Sequence, residues 1–261
     1  MPAATHGGID LPRSPYRRLS SNVKRLALQV IVICILSVGT VASQNKMANS
    51  THLTIKHILK DFSIGRLDDP AWKRASQSVI TKYWSGKAAP TGRQFTARLL
   101  WSDTALYVRF DASQSEPLVV SEKADVTEKI VGLWDRDVCE IFIAPDASQR
   151  NKYFEFEIAP NGEWIDLGIE ILASQERKTE WDYRSGMTSA AKIGRDKVVM
   201  AIKIPFASLG KTPKIGDVWL GNLFRCVGKD PTRGYLAWQA TETGKANFHV
   251  PEKFGEFRFV K

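Results

Sequence analysis

The sequence predicts an all-β fold built of many short strands, on three observations. Beyond residue 50 the apolar residues alternate with a period of two rather than 3.6. The alternating runs are short and are separated by polar or Gly/Pro-rich turns such as Pro160-Asn161-Gly162. Helical spacing is confined to a few short stretches. Many short strands punctuated by turns pack as a sandwich or a barrel.

Phe95 to Leu100 and Leu106 to Phe110 alternate across the polar link Ser102-Asp103-Thr104 and read as a hairpin. Asp137 to Ala144 reads as a strand ended by Pro145, and Lys152 to Ala159 as another, ended by the Pro160-Asn161-Gly162 turn. Trp164 to Ile171, Lys197 to Ile204, Val218 to Val227, Tyr235 to Gln239 and Phe254 to Val260 complete the set. Ala71 to Ser76 and Phe206 to Leu209 each follow a proline and read as single helical turns. The polar stretch 115–132 reads as a long loop or a short helix. No repeat and no Gly/Ser- or Pro-rich linker divides the chain after residue 50, so one domain is expected over 65–261, preceded by a lead-in at 43–64.

The chain carries a net charge of +9, concentrated at the start: Arg13, Arg17, Arg18, Lys24 and Arg25 face Asp10 alone in the first 42 residues. The remaining basic residues are scattered among acids, which argues against a nucleic-acid partner. The basic stretch, the apolar run Leu26 to Ala42 and the small residues Thr40 and Ala42 have the order of an export signal. Cleavage after Ala42 would leave an exported chain starting at Ser43, periplasmic or extracellular. Residues 26–42 also reach the lower edge of a membrane span and read alternatively as an anchor. A start at Met47 would instead leave a cytoplasmic protein. Past the leader two cysteines remain, Cys139 and Cys226; an oxidising compartment would allow them to form one disulfide, and burial as free thiols is the alternative.

The stretch from Leu133 to Ile143 carries the most chemistry. Trp134 stands at the mouth of a strand on which Val138, Glu140 and Phe142 share a face. A carboxylate between bulky apolar groups is either exposed on a concave surface or buried and paired. Flat indoles pack against the C–H faces of pyranose rings, and carboxylate, amide and guanidinium groups satisfy sugar hydroxyls. Trp72, Trp101 and Trp219 have apolar neighbours and read as core; Trp164 and Trp181 have no evident place.

Taken in order, the motifs resemble the family 9 carbohydrate-binding modules. They are Leu67-Asp68-Asp69-Pro70-Ala71-Trp72, Trp101 through Val108, Trp134 through Ile143, Ile204-Pro205-Phe206 through Gly210, Gly216-Asp217-Val218-Trp219 through Arg225, and Pro251 through Gly255. The resemblance implies an antiparallel β-sandwich of the immunoglobulin-like or jelly-roll kind, also described as DOMON-like, that binds a poly- or oligosaccharide in carbohydrate catabolism without catalysing a reaction. It implies two aromatic rings around a sugar: Trp134 matches the first and Trp238 the second, with Glu140, Asn222 and Arg225 as polar contacts. It also implies structural calcium, for which Asp68, Asp69 and Asp146 lie in suitable turns. The chain departs from the family pattern at Lys178 to Ser189 and from Gln239 onward.

Two other functions have some support in the residues. A glycosidase needs two carboxylates across a bond, and Asp135, Asp137, Glu140, Glu155 and Glu157 qualify by type. Yet Tyr153, Glu155 and Glu157 alternate with Phe154, Phe156 and Ile158, the pattern of a half-solvated strand. A haem-binding redox domain of the same superfamily would need a His and a Met; His249 is the best-placed histidine, with Met187 and Met200 as partners by type. Zinc-ligand spacing and a phosphate-cradling glycine loop are both missing from the sequence.

Overall fold

A computed structural model describes residues 50–261. The leader, signal and anchor readings therefore fall outside the described residues. No helix among those described is long and apolar enough to cross a membrane.

The fold is all-β. Thirteen strands run in chain order: β1 (His52–His57), β2 (Ser76–Ile80), β3 (Phe95–Trp101), β4 (Ala105–Ser113), β5 (Val138–Ala144), β6 (Lys152–Ile158), β7 (Trp164–Ile171), β8 (Arg177–Glu180), β9 (Thr188–Ile193), β10 (Lys197–Pro205), β11 (Val218–Val227), β12 (Gly234–Ala237) and β13 (Gly255–Val260). They form one curled sheet in the order β8-β7-β6-β5-β11-β13-β1-β3-β4-β10-β9, with β12 also on β11 and β2 on β3. Short 3₁₀ turns occur at Pro70–Arg74 and Phe206–Leu209, both opened by proline. The stretch 115–132 is loop.

The expectation of a purely antiparallel sheet is corrected at β1. It runs parallel to β13, with Leu53 opposite Phe257, and parallel to β3, with Lys56 opposite Leu100. Parallel neighbours need long connections, and both exist here: residues 58–94 separate β1 from β3, and nearly the whole domain separates β1 from β13. The segment 43–64, expected as a lead-in, thus supplies the strand that joins the two halves of the strand order.

Alternation assigns each strand's side chains to one of two faces. Cys139, Ile141, Ile143, Trp219, Leu223, Phe257 and Phe259 meet Leu99, Val108, Phe110, Met200, Ile202 and Ile204 in one cluster between the two halves of the curl. On the outer face of the β5-β6-β7-β11 half, Phe142, Tyr153, Leu167, Ile169 and Phe224 form a second cluster. On the outer face of the other half, Phe62, Trp72, Leu100 and Tyr107 form a third. Strand β5 is buried along its whole length on both faces, which is why it reads as an almost unbroken apolar run. Trp72, Trp101 and Trp219 are all core, and the Trp101 indole N–H donates to the Val260 carbonyl at 2.9 Å.

The two cysteines are free, which corrects the disulfide reading. Cys139 opposes Arg225 across the β5–β11 ladder, so Cys139 and Cys226 are one register position apart and point to opposite faces. Cys139 lies between the sheet halves and Cys226 on the outer face.

Gly221 marks the tightest packing between β11 and its neighbours. A methyl group there would collide with the Phe142 carbonyl and the Phe257 ring. Gly221→Ala is expected to destabilise the fold by about 1–3 kcal/mol, the usual cost of overpacking a core. Thermal unfolding checks this; an unchanged Tm would mean that the strands can separate to admit the methyl.

Candidate functional site

The outer face of the β5-β6-β7-β11 half carries a cavity of about 270 Å³. Its floor comes from β5 and β6, its walls from the Trp134 turn, from β8 and the residues after it, and from the segment 246–249. Trp134 is placed by a tight turn that starts at Gly132, whose φ of +85° favours glycine. The Arg233 guanidinium holds that turn by donating to the carbonyls of Trp134 (2.7 Å), Arg136 (2.7 Å) and Gly228 (2.8 Å). On and beyond β8 the residues Arg177, Thr179 and Trp181 follow strand alternation, and all three line the cavity.

The Trp181 segment is anchored from beneath. Lys129 Nζ lies 2.8 Å from Asp166 Oδ1 in a buried ion pair and donates to the Tyr183 carbonyl at 2.6 Å. Asp166 Oδ2 in turn accepts from the Ser185 amide and hydroxyl at 2.6 and 2.7 Å. A buried pair of this kind is costly to break singly.

Trp134 and Trp181 stand with ring centroids 6.3 Å apart and planes tilted by 47°. A flat ligand held between parallel rings needs about 7–8 Å, two carbon–carbon contacts. The two indoles therefore make an angled wall, and a ligand ring would lie against it. Trp134 is half-buried and Trp181 is 47% exposed, so apolar ring surface is available at the mouth.

The floor is acidic. Glu140 and Glu155 line the cavity and Glu157 lies beside them, with one carboxylate oxygen from each within 4.8 Å of the others. All three are buried. Glu140 sits directly opposite Glu157 across the β5–β6 ladder. Burial, followed by the neighbouring Glu155, pushes the Glu140 carboxyl up to about 8. Burial pushes Glu155 up as well, and burial and then Glu140 push Glu157 up. The Cys226 thiol donates to Glu140 Oε1 at 3.3 Å.

The structure puts two of the five sequence-predicted contact residues at this cavity, Trp134 and Glu140. The other three lie elsewhere. Trp238 stacks on Phe257 at 5.6 Å with planes 8° apart, over Gly255, where a Cβ would strike its ring. Asn222 is fully buried, its amide accepting from the Leu223 and Gln239 amides and donating to the Gln239 carbonyl. Arg225 points to the inner face, opposite in direction to Glu140. It clips loops together through the carbonyls of Arg93 and Ser113, both 2.7 Å, and Gln114 Oε1 at 2.5 Å. The sequence names Glu155 and Glu157 only as carboxylates by type, leaves Trp181 without a place and does not single out Arg177; the spacing of 177, 179 and 181 is the available signal for the last two.

The turn acids do not fit a shared calcium site. Asp68 and Asp69 share a surface cleft with Lys192, and Asp69 Oδ1 caps the turn at Ala71 N while its carboxylate pairs with Arg66. Asp146 lies in another cleft beside Lys152 and Lys211 and accepts from Ser148 N and Oγ and from Gln149. The haem geometry is not assembled either. His249 Nδ1 is 2.8 Å from the Tyr153 hydroxyl on the outer face, whereas Met187 and Met200 belong to the inner cluster.

The family model for "Carbohydrate family 9 binding domain-like" proteins matches residues 64–261. The chain belongs to this family. It is 24% identical over 182 residues to an extracellular protein of Arthroderma benhamiae, covering 64% of this chain and 79% of that one. Among solved structures, a Bacteroides uniformis protein described as a candidate carbohydrate-binding protein superposes with a TM-score of 0.64 at 15% identity, over 81% of this chain and all of that one. A family 9 carbohydrate-binding module from Caldicellulosiruptor kristjanssonii, solved with cellotriose, gives a TM-score of 0.57 at 16% identity, over 80% of this chain and 93% of that one. The same organism's module solved with glucose gives 0.56 at 16% identity, over 80% and 95%. Within this family 9 domain, the cavity described above is built by strands and loops that all fall inside the matched residues.

His249 gives a pH-dependence prediction. Burial first, and then Arg177, push its imidazole down from 6.5 to about 3. Between those values the unfolded chain binds a proton that the folded chain does not, so stability is full above pH 6.5 and falls as pH drops through the window. The raised floor carboxyls act with the opposite sign in both proteins, so the expected signature of His249 is a Tm difference: between pH 7.5 and 5, His249→Gln gains on the wild type as pH falls. Parallel curves for the two proteins would show that the histidine takes up its proton without cost.

Proposed function

We propose that the chain is a non-catalytic carbohydrate-binding module that holds a sugar ring against Trp134 and Trp181 in the cavity above Glu140 and Glu155. The observation that carries this reading is the cavity itself: exposed indole surface at the mouth and hydrogen-bonding groups below. Aromatic faces receive the C–H face of a pyranose, and acids, Arg177, Thr179 and Asn247 are available to its hydroxyls. The relatives solved with cellotriose and with glucose direct the choice of ligand toward β-glucan ends and glucose. At about 270 Å³ the cavity is at the small end of ligand sites, which suits a terminal unit more than a chain interior.

Absence of catalysis is argued from the carboxylates. Glycosidases set two acids on either side of a bond, roughly 5–9.5 Å apart. Here Glu140, Glu155 and Glu157 sit together beneath the cavity and do not face one another across it, and Asp135, the other acid in the lining, belongs to the Trp134 turn on the wall. The curl of the sheet, with one core cluster between its halves, supports description as a β-sandwich. The leader pattern of residues 1–42, together with the extracellular relative, supports export of a chain beginning near Ser43 for use in carbohydrate catabolism; an anchor at 26–42 is the alternative.

Titration of indole fluorescence with glucose and cello-oligosaccharides tests the reading. Trp134→Ala and Trp181→Ala are each expected to weaken binding by about 30-fold, the effect of losing an aromatic anchor worth ~2 kcal/mol. Trp238→Ala is expected to lower Tm. Wild-type affinity in both cavity variants would place the ligand elsewhere.

A further inference from the structure

The floor of the cavity poses a charge problem that its own side chains do not solve. Glu140 and Glu157 are directly cross-strand, and Glu155, two residues before Glu157 on β6, is the diagonal neighbour of Glu140, three acids on one buried face. Like charges directly opposite on a sheet repel, and burial magnifies the repulsion. No ion pair among the described residues includes any of the three. Arg233, a nearby guanidinium, spends its donors on backbone carbonyls. Glu140 has a weak thiol donor, Cys226.

A second observation points to a missing ligand. Both carboxylate oxygens of Glu157 are fully buried, no donor from outside the acid cluster reaches them, and the side chain is aimed into the cluster, with Glu155 as its hydrogen-bonding neighbour when one of the two is protonated. A buried, unpartnered carboxylate is among the most costly groups a core can hold. Six or more oxygen ligands at 2.3–2.6 Å are usual for calcium, so two ligands of one calcium can lie up to roughly 4.6–5.2 Å apart. The 4.8 Å limit on the three oxygens falls within that span.

We propose that Glu140, Glu155 and Glu157 bind one calcium-like divalent cation at the floor of the cavity. The site is distinct from the turn acids Asp68, Asp69 and Asp146, and it stands whether or not a sugar binds above it. Oxygen ligands alone are hard donors and select calcium over softer transition metals. The cation removes the mutual repulsion of the three acids and supplies Glu157 with its partner. Its remaining coordination positions face the open cavity, where water completes the shell.

The test is calorimetric titration of the chelator-treated full chain with calcium chloride, without sugar. One binding event is expected, together with a calcium-dependent rise in Tm. Glu157→Gln is expected to weaken binding at least tenfold and to abolish the Tm rise, while Asp146→Asn leaves both intact. If Glu157→Gln does not fold, Glu155→Gln serves in its place. Terbium luminescence sensitised by the cavity tryptophans and quenched by added calcium gives a wild-type readout that needs no variant. Absence of calcium heat and of any Tm change in the wild type would overturn the proposal and leave three carboxyls that share protons. Calcium binding that survives Glu157→Gln and is lost in Asp146→Asn would overturn it equally.

Discussion

The molecule depends on one strand that is buried on both sides. Strand β5 gives Cys139, Ile141 and Ile143 to the core between the sheet halves, and Val138, Glu140 and Phe142 to the outer face. Its register with β6 and β11 decides which side chains face the cavity. A slip of one residue would send Glu140 into the inner core and Cys139 to the floor. The close approach at Gly221 and the Trp219 and Phe257 packing beside it hold that register from the β11 side. Fold and site are therefore fixed by the same contacts.

The walls of the cavity are fixed differently, by polar interactions under loops. Arg233 holds the Trp134 turn through three carbonyls, and the buried Lys129–Asp166 pair holds the residues that follow Trp181. Loops that carry a binding surface must be ordered at some cost in conformational entropy. Ordering them in advance leaves less to lose when a ligand arrives. Trp134 and Trp181 are rigidly based in this sense, though the Trp181 ring is partly open to solvent.

Strand positions were legible in the sequence wherever alternation was strong, as in β3, β4 and β10. The Trp134-to-Glu140 stretch was legible because an indole and a carboxylate interrupt an apolar strand. Strand β1 was not, since its partners lie more than 40 and about 200 residues away and parallel pairing leaves no hairpin signal. Glu155 and Glu157 look solvated in the sequence because their alternation with Phe154, Phe156 and Ile158 is the same whether the polar face meets water or a cavity floor. Only the covering segments, β8 and 246–249, decide between those, and no local pattern announces them. Trp181 was hidden in a polar stretch, and Trp238 and Arg225 were placed at the site by family likeness while their own contacts are internal.

The central claim is that the angled indole wall over the acidic floor is where the sugar sits. A crystal structure of the chain grown or soaked with cellotriose tests this most directly. The account predicts a pyranose ring in van der Waals contact with Trp134 and Trp181, with hydroxyls directed to the floor above Glu140 and Glu155. A sugar bound away from this cavity, with both indoles left in solvent, would contradict it.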